Sequence, residues 1–170
     1  MATSTPSAPL MDALKFTSED LAANREGRLS ESQRARLRAA RRRTVLIGIA
    51  TVLGVVLLAT IALYLGQINR TVVLSFVGVA LTICGAAVSG VLVRNWYRLT
   101  TDLDRNTVET LAGTVEHTVR VSGQLANYIL RIDGRELNVS KPVFLSLKNG
   151  GQYRLYRTPT AQVLLAGEMV

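Results

Sequence analysis

The hydrophobic residues of this chain are concentrated in two long stretches near its middle. Residues 44–66 and 72–93 contain no charged side chain, and only residues 67–71 separate them. Each stretch exceeds the roughly 18–20 apolar residues that a helix needs to cross a bilayer. Buried helices of soluble proteins seldom reach that length without a polar stripe. The pattern predicts a transmembrane helix hairpin over residues 44–94, with membrane spans at 44–66 and 72–94.

Arginines flank this predicted hairpin unevenly. Six precede the first span, and two more, Arg94 and Arg98, follow the second, while the turn carries Arg70 alone. The six are Arg34, Arg36, Arg38, Arg41, Arg42 and Arg43. Because basic residues near span ends stay on the cytoplasmic side, both termini are expected in the cytoplasm, at a bacterial plasma membrane. The same arginines can also recruit anionic lipid, or they can act only as the topogenic signal.

Aromatic residues mark the ends of the predicted spans. Trp96 and Tyr97 follow the second span directly, and Tyr64 lies near the far end of the first. Amphipathic rings of this kind favour the headgroup level of a bilayer, so all three are expected to be interfacial anchors.

Small residues recur inside both spans, and residues 44–66 and 72–93 contain no ionisable Asp, Glu, Lys, Arg or His. Ion and substrate pathways usually need such a group at membrane depth, so transport by this chain alone is not expected. Small residues let membrane helices approach closely. We expect them to pack the two helices together, with docking of another subunit as the alternative. The predicted packing positions are Gly78, Thr82, Ala86 and Gly90 in the second span, and Ala50 and Gly54 in the first.

The amino-terminal region divides into a tail and an arm. Residues 1–17 are largely polar and small and are expected to be disordered. Residues 18–43 read as a basic amphipathic helical arm, with Thr17 or Ser18 capping a first helix and Ser30 with Gln33 forming a capping box for a second. The second helix is expected to continue from about residue 31 into the first span. The arm has too few large apolar side chains for its own core, so we expect it to dock on the membrane, the distal domain or a partner.

Past a predicted connection at residues 95–107, the apolar residues alternate with period two. This pattern predicts a small cytoplasmic β-domain over residues 108–170, with five short strands and one helical turn near Pro142. Asp133-Gly134 is a strong signal for a two-residue hairpin turn. The fold class predicted for the whole chain is an α+β membrane protein, a two-helix transmembrane hairpin followed by a small SH3-like or OB-like β-barrel. This order of elements resembles in architecture the NfeD type of bacterial membrane protein.

The β-domain offers little recognisable chemistry. His117 is the only histidine and Cys84 the only cysteine, and neither has companions spaced for metal binding or nucleophilic catalysis. No catalytic residue, cofactor or metal is therefore expected. Aromatic and basic residues do interleave in one strand, which predicts either a partner surface or an ordinary half-buried strand. Those residues are Tyr153, Arg154, Tyr156 and Arg157.

These features together favour a membrane-anchored, non-enzymatic adaptor or accessory subunit. It would present the β-barrel and the basic arm to a protein partner, or assemble as a homo-oligomer. The alternatives are a structural or regulatory subunit of an oligomeric channel or transporter, and a membrane-tethered nucleic-acid binder. The basic excess lies at the membrane flanks, and residues 101–170 carry only eight basic against seven acidic groups. A nucleic-acid partner is therefore not favoured.

Overall fold

A computed structural model of the chain describes residues 8–122 and 125–170. The helices are α1 (Ala8–Leu14), α2 (Ser18–Arg25), α3 (Glu31–Ile68), α4 (Val72–Arg105) and α5 (Lys141–Ser146). The strands are β1 (Glu109–Thr114), β2 (Glu116–Ser122), β3 (Leu125–Ile132), β4 (Arg135–Val139), β5 (Gln152–Arg157) and β6 (Leu164–Met169). The chain forms two compact units. The hairpin unit is Arg36–Thr101, and the mixed unit combines the chain up to Ala35 with Asp102–Val170.

Helix α1 lies inside the segment 1–17 that the sequence predicts to be disordered. That prediction is wrong for residues 8–14, and residues 1–7 lie outside the described part. Leu10 is fully buried and belongs to the core of the mixed unit. Burying a leucine contributes about 1.5–3 kcal/mol, which helps to offset the entropy lost in ordering a helix this short.

Two capping boxes define the helix starts of the arm. Thr17 caps α2, because its hydroxyl accepts the Asp20 N–H and the Asp20 carboxylate accepts the Thr17 N–H. Ser30 and Gln33 make the same reciprocal pair at the start of α3, at 3.1 and 3.2 Å. Both arrangements follow from short polar side chains that satisfy N–H groups with no helical partner. The structure therefore confirms the capping box predicted at Ser30, and α3 then continues for 38 residues without a break.

Helix α4 extends past the predicted end of the second span. Residues 95–105 are helical, so the connection predicted at 95–107 is wrong over most of its length. This segment contains no proline or glycine, and the Thr101 hydroxyl bonds back to the Tyr97 carbonyl within the helix. The helix ends at Arg105, and the next residue, Asn106, has a left-handed φ of 52°, a conformation that asparagine tolerates better than most residues.

The two long helices pack along a seam with a period near 3.5 residues. On α3 the least exposed positions include Gly48, Val55 and Ala62, and on α4 they include Gly78 and Gly85. Close approach explains two of these glycines, because a Cβ on Gly78 would lie 2.5 Å from Leu63 Cγ and one on Gly85 would lie 3.0 Å from Val55 Cγ1. The remaining faces are exposed: only 17% and 11% of the most apolar 18-residue windows of α3 and α4 are buried. Both helices are long and apolar enough to cross a membrane.

The six strands form two small antiparallel sheets, with strand orders β1-β5-β6 and β2-β3-β4. The predicted closed SH3-like or OB-like barrel is therefore wrong, although the α+β class is confirmed. The chain changes sheet at Val115, whose N–H and carbonyl bond to Gly151 and Gly150 instead of continuing one ladder. Beside β6 lie α1 and α2.

The Asp133-Gly134 turn between β3 and β4 confirms the predicted hairpin. Both residues have positive φ, 48° and 71°, as a type I′ turn requires, and aspartate and glycine are the residues that adopt it at least cost. The ladder between β3 and β4 then runs in register from the pair of Ile132 and Arg135 to the pair of Tyr128 and Val139. The predicted helical turn near Pro142 is α5, which begins at Lys141.

The core of the mixed unit draws on both flanks of the hairpin. Leu10 and Phe16, which precede the arm, and Leu21 of the arm join one buried cluster with residues of all the strands except β2. From the distal segment come Leu111, Val115, Leu130, Ile132, Leu137, Val143, Phe144, Leu147, Tyr153, Leu155, Tyr156 and Ala166. Of the three docking surfaces considered for the arm, the structure shows the distal domain.

Candidate functional site

A buried carboxylate lies where the arm meets β6. The Glu168 side chain is completely buried. Its Oε1 accepts a hydrogen bond from the Tyr156 hydroxyl at 2.8 Å, and its Oε2 accepts one from Arg25 Nε at 3.1 Å. Arg154 Nη1 lies 3.6 Å from Oε1. Donors from α2 and β5 therefore surround one acid, which ties the arm to the sheet.

The electrostatics of this cluster favour a structural role. Burial, and then the hydrogen bond to Glu168, raise the pKa of the Tyr156 hydroxyl. The hydrogen bond to Glu168 also raises the pKa of the Arg25 guanidinium above its already high value. At neutral pH the phenol therefore keeps its proton and the guanidinium its charge. Neither group is poised to act as a base, and the Glu168 side chain itself is not exposed to solvent.

A second buried acid, Asp20, holds the junction between α2 and α3. It accepts the Thr17 N–H at 3.0 Å and also accepts the hydroxyls of Ser30 and Ser32. Asp20 is 2% exposed and Ser30 7%. The carboxylate thus joins the caps of two successive helices and fixes the turn between them.

Asp102 has a comparable role at the other flank of the hairpin unit. It is fully buried and accepts the backbone N–H groups of Thr160 and Ala161 at 2.9 and 2.6 Å. The same loop is closed by Thr158, whose hydroxyl accepts the Val163 N–H at 3.0 Å. Asp102 therefore orders the connection between β5 and β6.

Glu109 of β1 is another acid that pairs with basic side chains. Its carboxylate accepts hydrogen bonds from Arg157 Nε at 2.9 Å and from Arg135 Nη1 at 2.5 Å. Burial raises the pKa of Glu109, but the hydrogen bonds and charges of the two arginines outweigh burial and leave it below the ordinary value. The acid is held ionised between two strands.

The residues predicted as a partner surface on β5 are mostly interior. Tyr153, Tyr156 and Arg157 are 3%, 1% and 5% exposed, because β5 is the central strand of its sheet. The Tyr153 hydroxyl accepts the Lys148 N–H at 3.1 Å. Only the side chain of Arg154 is substantially exposed, at 42%. The surface interpretation is therefore wrong for the other three residues.

His117 lies at the edge of the core rather than in a site. Its ring centroid is 4.1 Å from that of Phe144, which in turn lies 5.1 Å from Tyr128. The backbone N–H of His117 donates to Asn149 Oδ1 at 3.0 Å. The imidazole Nε2 is buried and has no hydrogen-bond partner among the described residues. Burial lowers the pKa of His117, so the ring is neutral at pH 7.

The predicted packing face of the hairpin holds only at Gly78. Thr82, Ala86 and Gly90 are exposed, as are Ala50 and Gly54 on α3, and no atom lies within 4 Å of a Cβ built on Gly54 or Gly90. The reason is geometric. Four residues turn a helix by about 40° beyond a full circle, so Gly90 points about 120° away from Gly78. Gly85, seven residues from Gly78, stays in the seam.

Six of the eight predicted membrane-surface arginines are exposed near one end of the hairpin unit, whereas Arg41 is half-buried and Arg34 belongs to the mixed unit. Arg41 Nη1 donates to the Thr100 hydroxyl at 3.3 Å, which places the two chain segments side by side. The exposed arginines are Arg36, Arg38, Arg42, Arg43, Arg94 and Arg98. The predicted aromatic anchors Tyr64, Trp96 and Tyr97 are 62%, 46% and 65% exposed. Arg34 pairs with Glu31 at 3.4 Å.

A shallow groove runs between α1 and α5 on the mixed unit. It has a volume of about 370 Å³ and is lined by Pro9, Asp12, Ala13, Pro142, Leu145 and Ser146. Leu145 is 68% exposed. This groove was not predictable from the sequence, because it forms only where α1 docks beside α5.

The burial of the acids Glu168, Asp102 and Asp20 was not predicted from the sequence. A signal existed for Glu168, an acid inside the otherwise apolar stretch Leu164–Met169. Within the described ranges, no three His, Cys, Asp or Glu side chains come together as a metal site. No protein-family model, no curated protein and no solved structure matches this chain.

Proposed function

We propose that this protein is a membrane-anchored, non-enzymatic adaptor or accessory subunit that presents its mixed unit to a protein partner. One observation carries the proposal. The chain leaves the mixed unit after Ala35 and returns to it at Asp102, so a single folded module is connected to both ends of the hairpin. If the hairpin crosses a bilayer, both flanks must lie on the same side, in agreement with the arginine distribution.

The exposed faces of the hairpin unit support the membrane anchor. They consist largely of leucine, isoleucine and valine, including Leu53, Leu57, Val73 and Ile83. Contiguous apolar surface of this extent is unfavourable in water and typical of a helix in lipid. Residues 44–66 and 72–93 offer no charged group to a transport pathway.

The mixed unit supports a role in protein binding. Its acids Glu168, Asp20, Asp102 and Glu109 all hold structural hydrogen bonds. The unit carries twelve basic and twelve acidic residues, and this balance disfavours a nucleic-acid partner. The groove lined by Leu145 is a surface at which binding of a partner protein can be tested.

Topology is tested by cysteine labelling in a Cys84→Ala background. A cysteine at Asn69, in the turn of the hairpin, is expected to react with an impermeant maleimide added to intact cells. A cysteine at Ser140, beside α5, is expected to react only after the cells are opened. Labelling of the Ser140 position from outside would overturn the proposed orientation.

The partner is tested with a photo-crosslinking amino acid at Leu145, compared with the exposed position Thr118 on β2. One crosslinked protein from Leu145 and none from Thr118, recovered again by gentle co-purification, supports the adaptor. A ring of identical copies by native mass measurement would favour the channel-subunit alternative instead. Tight, salt-sensitive oligonucleotide binding by the full chain would favour the nucleic-acid alternative.

A further inference from the structure

The net charge of the protein lies entirely in the hairpin unit. Residues 36–101 contain eight arginines, no lysine and no acidic residue, whereas the mixed unit has equal numbers of basic and acidic groups. The formal charge of +8 is thus the charge of the hairpin unit. Counter-charges for these arginines cannot come from their own unit.

Seven of the eight arginines lie toward one end of the hairpin unit, and Arg70 alone lies in the turn. A Cβ on Gly48 would lie 3.0 Å from Leu92 Cδ1, and Arg41 contacts Thr100. These contacts fix how the two antiparallel helices are aligned along their length. Arg42 and Arg43 therefore lie at the same level as Arg98, and Arg94 lies about one helical turn closer to the Arg70 end of the hairpin. At 1.5 Å per residue the arginines of α4 lie within about 9 Å of Thr100 along the helix axis.

That depth is close to the thickness of one headgroup layer, about 5–8 Å on each side of the hydrocarbon core. Arg42, Arg43, Arg94 and Arg98 are exposed in the structure, and we call these four the arginine band. Trp96 and Tyr97, 46% and 65% exposed, lie at the same level. Exposed arginines beside Trp and Tyr at one depth match a layer that is both anionic and amphipathic.

We propose that the arginine band binds the phosphate headgroups of acidic phospholipids. The inference rests on the proposed membrane anchor and names a lipid class for it. A guanidinium fits a phosphate with two parallel hydrogen bonds, and each basic residue near an anionic surface contributes about 1 kcal/mol, or roughly fivefold in affinity. The net positive charge of the hairpin unit selects acidic over zwitterionic lipid.

The test reconstitutes the full chain in vesicles of mixed phosphatidylcholine and phosphatidylglycerol. Spin-labelled analogues of each lipid report which one occupies the shell around the protein. Phosphatidylglycerol is expected to be enriched several-fold, and the enrichment is expected to fall as salt is added. The variant Arg42→Gln/Arg43→Gln/Arg98→Gln is expected to bring the ratio close to one. Arg70→Gln, at the turn, is the matched control and is expected to retain the enrichment.

Equal occupancy by the two lipids around the wild-type protein would overturn the inference, and so would unchanged enrichment in the triple variant. If the triple variant does not insert, Arg43→Gln and Arg98→Gln are measured singly, and each is expected to lose part of the enrichment. Alkaline carbonate extraction is done first. Release of the wild-type protein would refute the membrane anchor itself, whereas retention without enrichment would refute only the lipid preference.

Discussion

The Arg25 guanidinium and the Glu168 carboxylate, 143 positions apart in the chain, form an ion pair whose acid is completely buried. Arg25 belongs to the arm that precedes the hairpin, and Glu168 to the strand β6 that follows it. The pair therefore joins the two flanks of the hairpin into one folded unit, together with the apolar contacts of Leu10, Phe16 and Leu21.

Replacing Arg25 is expected to destabilise the mixed unit. In Arg25→Gln the buried carboxylate of Glu168 loses its main cationic partner, at an expected cost of about 1–3 kcal/mol. Chemical unfolding of the full chain in detergent measures this loss. Arg28→Gln is the control, because Arg28 and its partner Glu26 are both more than half exposed, and it should change stability by about 0.5 kcal/mol or less.

A double-mutant cycle with Glu168→Gln separates the ion pair from lost packing. If the pair carries the effect, Arg25→Gln costs at least about 1 kcal/mol less once Glu168 is neutral. Equal costs in both backgrounds would show that Arg25 acts through its aliphatic stem alone.

Asp102 is expected to stabilise the loop between β5 and β6. Asp102→Ala leaves the Thr160 and Ala161 N–H groups without their acceptor, at an expected cost of about 1–3 kcal/mol. Amide hydrogen exchange at these two residues should become faster. Asp104→Ala, two positions later and exposed, provides the comparison, and similar exchange rates in both variants would argue against the assigned role.

The hairpin seam is tested by moving the same methyl group between two glycines of α4. Gly78→Ala places a Cβ 2.5 Å from Leu63 Cγ and 3.1 Å from the Leu63 backbone nitrogen. The Leu63 side chain and its helix must therefore shift, at a cost of about 1–3 kcal/mol. Gly90→Ala meets no atom within 4 Å and should be neutral or slightly stabilising. The fluorescence of Trp96, the single tryptophan, follows unfolding in detergent, and a larger loss for Gly90→Ala would refute the seam.

Acidification is expected to destabilise the mixed unit through His117. Burial holds the His117 pKa below its ordinary value in the folded state, so the unfolded chain binds this proton more readily. The stabilisation is fully present above the ordinary histidine pKa of about 6.5 and is lost as the pH falls toward the folded-state pKa.

The proton uptake is tested with His117→Phe, which keeps an aromatic ring against Phe144. Its unfolding free energy should depend less on pH between about 7.5 and 5 than that of the wild type. Because the chain has one histidine, its imidazole resonance gives the folded-state pKa directly. A resonance that titrates at or above the ordinary value would contradict the prediction.

Local features of this fold were predictable from the sequence. Asp133-Gly134 specifies its turn through the φ values that these residues tolerate, and Ser30 with Gln33 specifies a helix start within four positions. The length of each apolar run likewise predicts a long helix. In each case the interactions that decide the structure lie within a few residues of one another.

The errors arose where distant segments decide the outcome. The Arg25–Glu168 pair and the burial of Leu10 depend on how the arm meets β6, and no local pattern encodes that choice of partner. The strands form two separate sheets and not the predicted closed barrel, because the chain passes from one sheet to the other at Val115. The i+4 series from Gly78 to Gly90 did not predict the packed face, because a helix repeats every 3.6 residues. The angular difference between a spacing of four residues and one full turn accumulates over three turns.

Construction of the mixed unit from both flanks imposes an order on biosynthesis. The amino-terminal region leaves the ribosome before the hairpin, yet Leu10, Phe16 and Leu21 obtain their core neighbours only when the distal strands follow. The contacts of Glu168 with Arg25 and Tyr156 can form only once β6 has been synthesised, after both long helices. Both long helices are therefore complete while Leu10, Phe16 and Leu21 still lack their core neighbours, and folding of the mixed unit is a late event in synthesis.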